Sequence, residues 1–292
     1  MGTDQEVASV VVRDQYFDKV IKQVAERAYK FKQALTISPT SSWKNFFYRE
    51  GATPLAGLTG NAIKGIPRGA DFPQAVVQWE RIQAVIDKYG LENNIPWEDI
   101  ISDSIDVKER TLFKIAEGVV KAVDDQIYTA LTSDSGVTTL NIHSAYTNGG
   151  GWNQASGAVI DNLMYGKQII AENNYDVSNL MLFINPRDHR SLVKYLTDKG
   201  AQFPTVSSDK AMNGVVGNLV GITIVVSNSV TVSQALLVVP KRCGTWKELV
   251  PLTTITKEDA GKNLLVRSWE YGVTEVTDPK CIVVFKGTNL TQ

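Results

Sequence analysis

Two histidines and two cysteines are the whole stock of imidazole and thiol groups in this 292-residue chain. His143 and His189 do not stand at ligand spacing from each other or from a cysteine. Each reads as a surface or hydrogen-bonded histidine. Cys243 follows Arg242, and a basic neighbour favours the reactive thiolate. No histidine is near in sequence to act as its base. Cys243 and Cys281 are too few and too far apart for a disulfide framework, so two buried free thiols are expected, with a single bridge as the other option.

The glycine-rich stretches fail as phosphate loops. Gly60-Asn61-Ala62-Ile63-Lys64-Gly65 has the glycine spacing, but Ile66 and Pro67 stand where Lys and Ser/Thr must be. Gly214 to Gly221 precedes a predicted strand, whereas a dinucleotide fingerprint follows one and opens a helix. No G-x-S-x-G elbow occurs. Asp124 and Asp125 are adjacent on a predicted helix and point about 100° apart, so they do not pair as acid and base. Capping, salt bridges or solvation explain them better. The expectation is a chain with no catalytic, metal or cofactor site, whose surface is its function.

The bulk numbers agree. Hydrophobic residues make up 43% of the chain, and 30 basic residues face 31 acidic ones, for a formal net charge of −1. That supports a sizeable core and does not advertise a global nucleic-acid binder. No run approaches a membrane span, and the N-terminus does not read as a secretory signal.

The elements follow from periodicity. Tyr16, Val20, Val24, Ala28 and Phe31 recur at helical spacing, predicting an amphipathic helix over 13–34 whose apolar stripe needs a partner. Ser41–Glu50 (SSWKNFFYRE) suits a strand. Residues 49–74 show no period and contain KGIPRGADFP (64–73), with two glycines and two prolines. Loops of that length are uncommon in compact domains. The stretch from Ala75 to about Asp99 is arguable as helix or strand. If extended, it and 41–50 flank a long hairpin-like excursion.

Asp106 with Glu109 forms a capping box. Behind it Leu112, Ile115, Ala116, Val119, Val120, Val123, Ile127 and Leu131 share one face, predicting a spine helix over 107–132, a rod of ~38 Å. Further helices are expected over 158–173 and 187–197. Strands are expected at 180–184, 222–226, 235–239, 264–271 and 281–285. The class is α+β.

The order of these features resembles the major capsid proteins of tailed bacteriophages and related archaeal viruses (the Johnson fold), a fold that encapsulins share. The resemblance rests on ERTLFKIAEGVVKAVDDQIYTAL (109–131) as spine helix and LMLFINPRDHRSLVKYL (180–196) as strand, proline break and helix. It rests also on GVVGNLVGITIVVSNSV (214–230) and on the closing RSWEYGVTEVTDPKCIVVFKG (267–287). It implies an N-terminal arm (1–40), an extended E-loop with flanking strands (41–98) and a peripheral domain (99–156). An axial domain (157–261) and return strands (262–292) complete the division.

The resemblance also implies function. The chain would be a structural protein, not an enzyme. It would assemble into hexamers, pentamers and an icosahedral virion shell around double-stranded DNA, touched weakly and without sequence preference. Portal, scaffolding or decoration proteins are implied partners. Assembly would occur in the host cytoplasm. Scaffolding would be separate or already removed, because the arm before the E-loop spans only about 40 residues by this division. Lys64, Ile66, Pro67, Arg68 and Phe72 at the E-loop tip, and Tyr16, Val20, Val24 and Phe31 on the arm, would contact neighbouring copies. An encapsulin-type compartment is the alternative within the fold. A cytosolic enzyme with a site near Cys243 or His189 is the alternative outside it.

Overall fold

Three apolar runs, at 180–184, 235–239 and 281–285, read as strands, and the computed structural model shows them side by side. It describes residues 29–50, 66–71, 79–101, 107–142, 151–153, 158–198, 217–259 and 261–289. The runs are β6 (Leu180–Ile184), β9 (Gln234–Val238) and β12 (Ile282–Lys286). They lie side by side in a six-stranded sheet of order β5-β12-β9-β6-β8-β7. The other members are β5 (Thr138–Asn141), β7 (Asn218–Leu219) and β8 (Ile222–Val226). Side chains alternate across a strand. Leu182, Leu237, Val283 and Phe285 therefore enter one apolar cluster, and Phe183, Leu236, Ile282 and Val284 enter another on the opposite face.

The first cluster is roofed by α3 (Val159–Glu172) and α4 (Pro186–Asp198), through Leu163, Ile170, Leu192 and Leu196. Asn185 starts α4: its side chain accepts the Arg187 N–H at 3.0 Å, and Pro186 takes the first helical position, where its missing N–H costs nothing. The second cluster is built on the spine helix α2 (Val107–Ser133). Leu112, Val119, Val123, Ile127 and Leu131 are buried along one face, as the stripe predicts. The Asp106 cap lies outside the described residues.

The spine helix also packs on a four-stranded sheet of order β1-β10-β11-β4. Its strands are β1 (Thr36–Pro39), β4 (Asp87–Pro96), β10 (Gly244–Asp259) and β11 (Asn263–Val276). A short helix α1 (Trp97–Ile101) follows β4. β10 and β11 form one long hairpin whose turn carries Gly261 at φ 75°, a conformation that favours glycine. The sequence division at 261 cuts this hairpin. β10 sits beside β11 and not in the six-stranded sheet, whereas β5 and β12, assigned by sequence outside 157–261, belong to that sheet. Strand pairing joins segments distant in sequence, and a division drawn along the chain misses it.

Candidate assembly interface

The residues best suited to chemistry are spent on structure. Cys243 and Cys281 are buried free thiols, and burial pushes the Cys243 thiol up to about 12, far from the thiolate form a nucleophile needs. His189 is held below its ordinary value by burial. His143 lies outside the described residues. Asp124 is buried on the spine helix, where its carboxylate accepts the backbone N–H of Lys30 at 2.9 Å and of Phe31 at 3.3 Å. Asp125 beside it does not share the task. Among the described residues no group of His, Cys, Asp or Glu is placed to hold a metal, and no helix is long and apolar enough to cross a membrane.

Asp124 is one of two fastenings for the end of the N-terminal arm. Lys32 and Glu270 form a buried ion pair, and the Tyr29 hydroxyl donates to the same carboxylate. The Lys32 ammonium also lies 3.9 Å from the centre of the Tyr29 ring. Burial, then the Glu270 charge, raises the Tyr29 phenol, so it stays a donor. This anchoring corrects two expectations. The helix predicted over 13–34 does not reach its end as α-helix: Phe31–Ala34 is a single 3-10 turn. Phe31 is not exposed for a neighbour. It is fully buried, stacked on Phe183 at 4.3 Å between ring centres and tilted against Tyr128. Its helical spacing with Val24 concealed a core role, because the turn carries it under the six-stranded sheet. Tyr16, Val20 and Val24 lie outside the described residues.

The excursion is extended on both flanks. β2 (Lys44–Glu50) pairs antiparallel with β3 (Trp79–Val85) in a two-stranded ribbon. Its two faces differ. Asn45, Phe47 and Arg49 share one face with Ala84, Ile82 and Glu80. That face meets the chain's own body: Ala84 and Phe47 join Ile86 and Val273 in a small apolar cluster. Arg49 reaches Glu80 at 2.6 Å and also grips Asp134, just past the spine helix. The other face carries Phe46, Tyr48, Trp79 and Val85, 53, 60, 56 and 49% exposed. Arg81 stacks on the Phe46 ring at 4.0 Å. Trp43, just before the ribbon, is 54% exposed. Scattered exposed apolar residues are ordinary, but several aromatics on one face of a ribbon make that face a candidate interaction surface.

Of the expected tip contacts, Ile66, Pro67 and Arg68 are described. They enter a tight turn closed by the Ala70 N–H to the Pro67 carbonyl at 3.1 Å, with Gly69 at φ 80°. Pro67 and Arg68 are exposed and Ile66 half-buried. Lys64 and Phe72 lie outside the described residues. The ribbon face itself was missed from the sequence, although alternating Phe46 and Tyr48 opposite a strand-compatible 79–85 carried the signal.

A sequence model described as "Phage capsid protein" matches residues 79–285, well over half of the chain. The chain belongs to the phage capsid protein family. No curated protein matches it. Solved structures give the same fold. The capsid protein of the cyanophage P-SCSP1u aligns with TM-score 0.66 and 15% identity, over 88% of each chain. The virus-like particle of Pyrococcus furiosus aligns with TM-score 0.60 and 14% identity, over 94% of this chain and 99% of the other. A structure from Mycobacterium phage Che8 gives 0.61 and 15%, over 85% of this chain and 86% of the other. The fold is the α+β Johnson fold of phage capsids. This capsid protein is a structural shell protein and not an enzyme.

Proposed function

We propose that the subunit closes an icosahedral shell of hexamers and pentamers around double-stranded DNA, with the outer face of the β2–β3 ribbon seated on an adjacent copy. The single observation carrying this is the exposed row of Phe46, Tyr48 and Trp79 on a ribbon whose reverse face is already fastened to its own body. Apolar burial favours covering such a face by roughly 25 cal/mol per Å². Lys64, Ile66, Pro67, Arg68 and Phe72 beyond the ribbon, and Tyr16, Val20 and Val24 on the arm, extend the same contact. Many modest contacts per copy make the shell stable together. A head-to-tail patch of this kind closes into rings.

The near-balanced charge suits the role, because a strongly basic subunit would repel its neighbours. Contact with DNA is weak and sequence-independent, through phosphates. Portal, scaffolding and decoration proteins complete the particle, which assembles in the host cytoplasm. The test is Phe46→Ser with Tyr48→Ser. Both side chains are exposed, so the subunit keeps its melting temperature within a few degrees while particle yield falls about tenfold or more. Unchanged particle yield would overturn the ribbon's role. Nuclease-protected DNA in wild-type particles supports the genome assignment; a packaged enzyme instead contradicts it.

A further inference from the structure

The four-stranded sheet ends in a long open edge. β4 has β11 on one side, and among the described residues no strand lies on the other. β1, at the opposite edge, has only 4 residues and includes Pro39, whereas β4 has 10. The ladder shows which amides of β4 turn away from β11. The Trp97 N–H donates to the Lys262 carbonyl at 3.2 Å, and the register places Pro96 opposite Asn263. Trp97 and Lys262 are therefore a directly bonded pair, and such pairs alternate along an antiparallel ladder. The odd-numbered residues of β4 turn their N–H and C=O to β11. Lys88, Gly90, Glu92 and Asn94 turn theirs outward. Pro96, with no N–H, stands at an outward position, where it breaks no bond.

A groove lies on each side of this edge. On the spine-helix side, Leu91 and Asn93 face Arg110, Lys114 and Ile115 across about 500 Å³. On the other side, Lys88 and Gly90 meet Arg267, Trp269 and Tyr271 around about 570 Å³. Leu91 and Glu92 border both. A strand laid along the edge sends alternate side chains to opposite faces, one set into each groove. Backbone bonds would supply affinity and the grooves specificity, as in β-augmentation.

We propose that the outer edge of β4 accepts an extended segment of a second copy of this chain, and that the segment is the leading valine run at 7–12. The proposal rests on the shell reading. The chain's own ribbon cannot serve. Only Ile86 separates β3 from β4, too short a link to set two strands side by side, for which about two loop residues are the minimum. Val7, Val10, Val11 and Val12 are β-branched and suit a strand. Asp4 and Glu6 stand before the run, and Arg13 and Asp14 directly after it, so acids outnumber bases around it. The grooves present Lys88 and Arg110, and among the described residues neither has an acidic partner within 4 Å, so the charges complement.

Hydrogen exchange tests the pairing. The amides of Lys88, Gly90, Glu92 and Asn94 should exchange about tenfold or more slower in particles than in subunits dissociated from them. Equal exchange in both states overturns the proposal; slow exchange in both would mean that the chain covers its own edge. Asn94→Pro removes one outward N–H and leaves the β11 ladder intact. It should fold with wild-type melting temperature and lose particle yield about tenfold. Normal yield counts against the pairing. Particles lacking residues 1–12 that keep β4 slow overturn the choice of segment. If the wild-type chain forms no particles, the shell reading fails first. Particles with an unprotected β4 overturn the pairing alone.

Discussion

Asp124 shows how one side chain serves the fold rather than a reaction. Burial pushes its carboxyl up to about 6, against the lowering pull of the Lys30 and Phe31 amides. Asp188, at the start of α4, is also raised to about 6 by burial while it holds the Thr288 hydroxyl at 3.0 Å. An acid with a raised folded pKa binds its proton more tightly when folded. Its stabilising contribution is full below the ordinary value of 3.8 and is lost as pH rises through about 6. Asp124→Asn abolishes one such fall. Its stability relative to wild type should therefore rise between about pH 4 and pH 7, by up to roughly 3 kcal/mol. Urea denaturation of unassembled subunits across that range measures it; a constant difference would contradict the assignment.

Among elements, the spine helix and the doubly buried strands were legible because their periods were clean. Leu112 to Leu131 keeps one face, and β6, β9 and β12 are nearly unbroken apolar runs. β10 was not legible. Its alternation is interrupted by register shifts between Glu248 and Val250 and between Val250 and Thr253, and Pro251 reads as a breaker. β4 was arguable as helix or strand because an edge exposed on both faces shows little pattern. The Lys32–Glu270 pair was out of reach, since nothing local joins residues so far apart.

Two variants test how these elements fit. Gly166 lets α3 approach the six-stranded sheet: a Cβ there would stand 2.5 Å from the end of the Phe285 ring. Gly166→Ala should cost about 1–3 kcal/mol through overpacking, despite its gain in helix propensity. Thermal unfolding checks the sign, and stabilisation would refute the close packing. Arg49→Ala releases the ribbon from Asp134. Exchange of the β2–β3 amides should then quicken about tenfold while α2 is unaffected, since a two-stranded ribbon is marginal alone. Unchanged ribbon exchange would show that the apolar cluster alone holds it.

At the scale of the molecule, the subunit is finished on one side and unfinished on the other. One core cluster runs from the spine helix into both sheets, while among the described residues a ribbon face rich in aromatics stays exposed. The order of elements was readable from sequence and gave the fold. The surface proposed to meet another copy was less so. The alternation of Phe46 and Tyr48 marks a strand with two different faces, but nothing local says which face turns to its own body and which stays exposed. Electron cryo-microscopy of the purified, concentrated protein addresses that directly. The expected result is closed shells in which Phe46, Tyr48 and Trp79 lie against an adjacent copy. Shells with those side chains facing solvent, or a protein that stays monomeric at every concentration, would contradict the account.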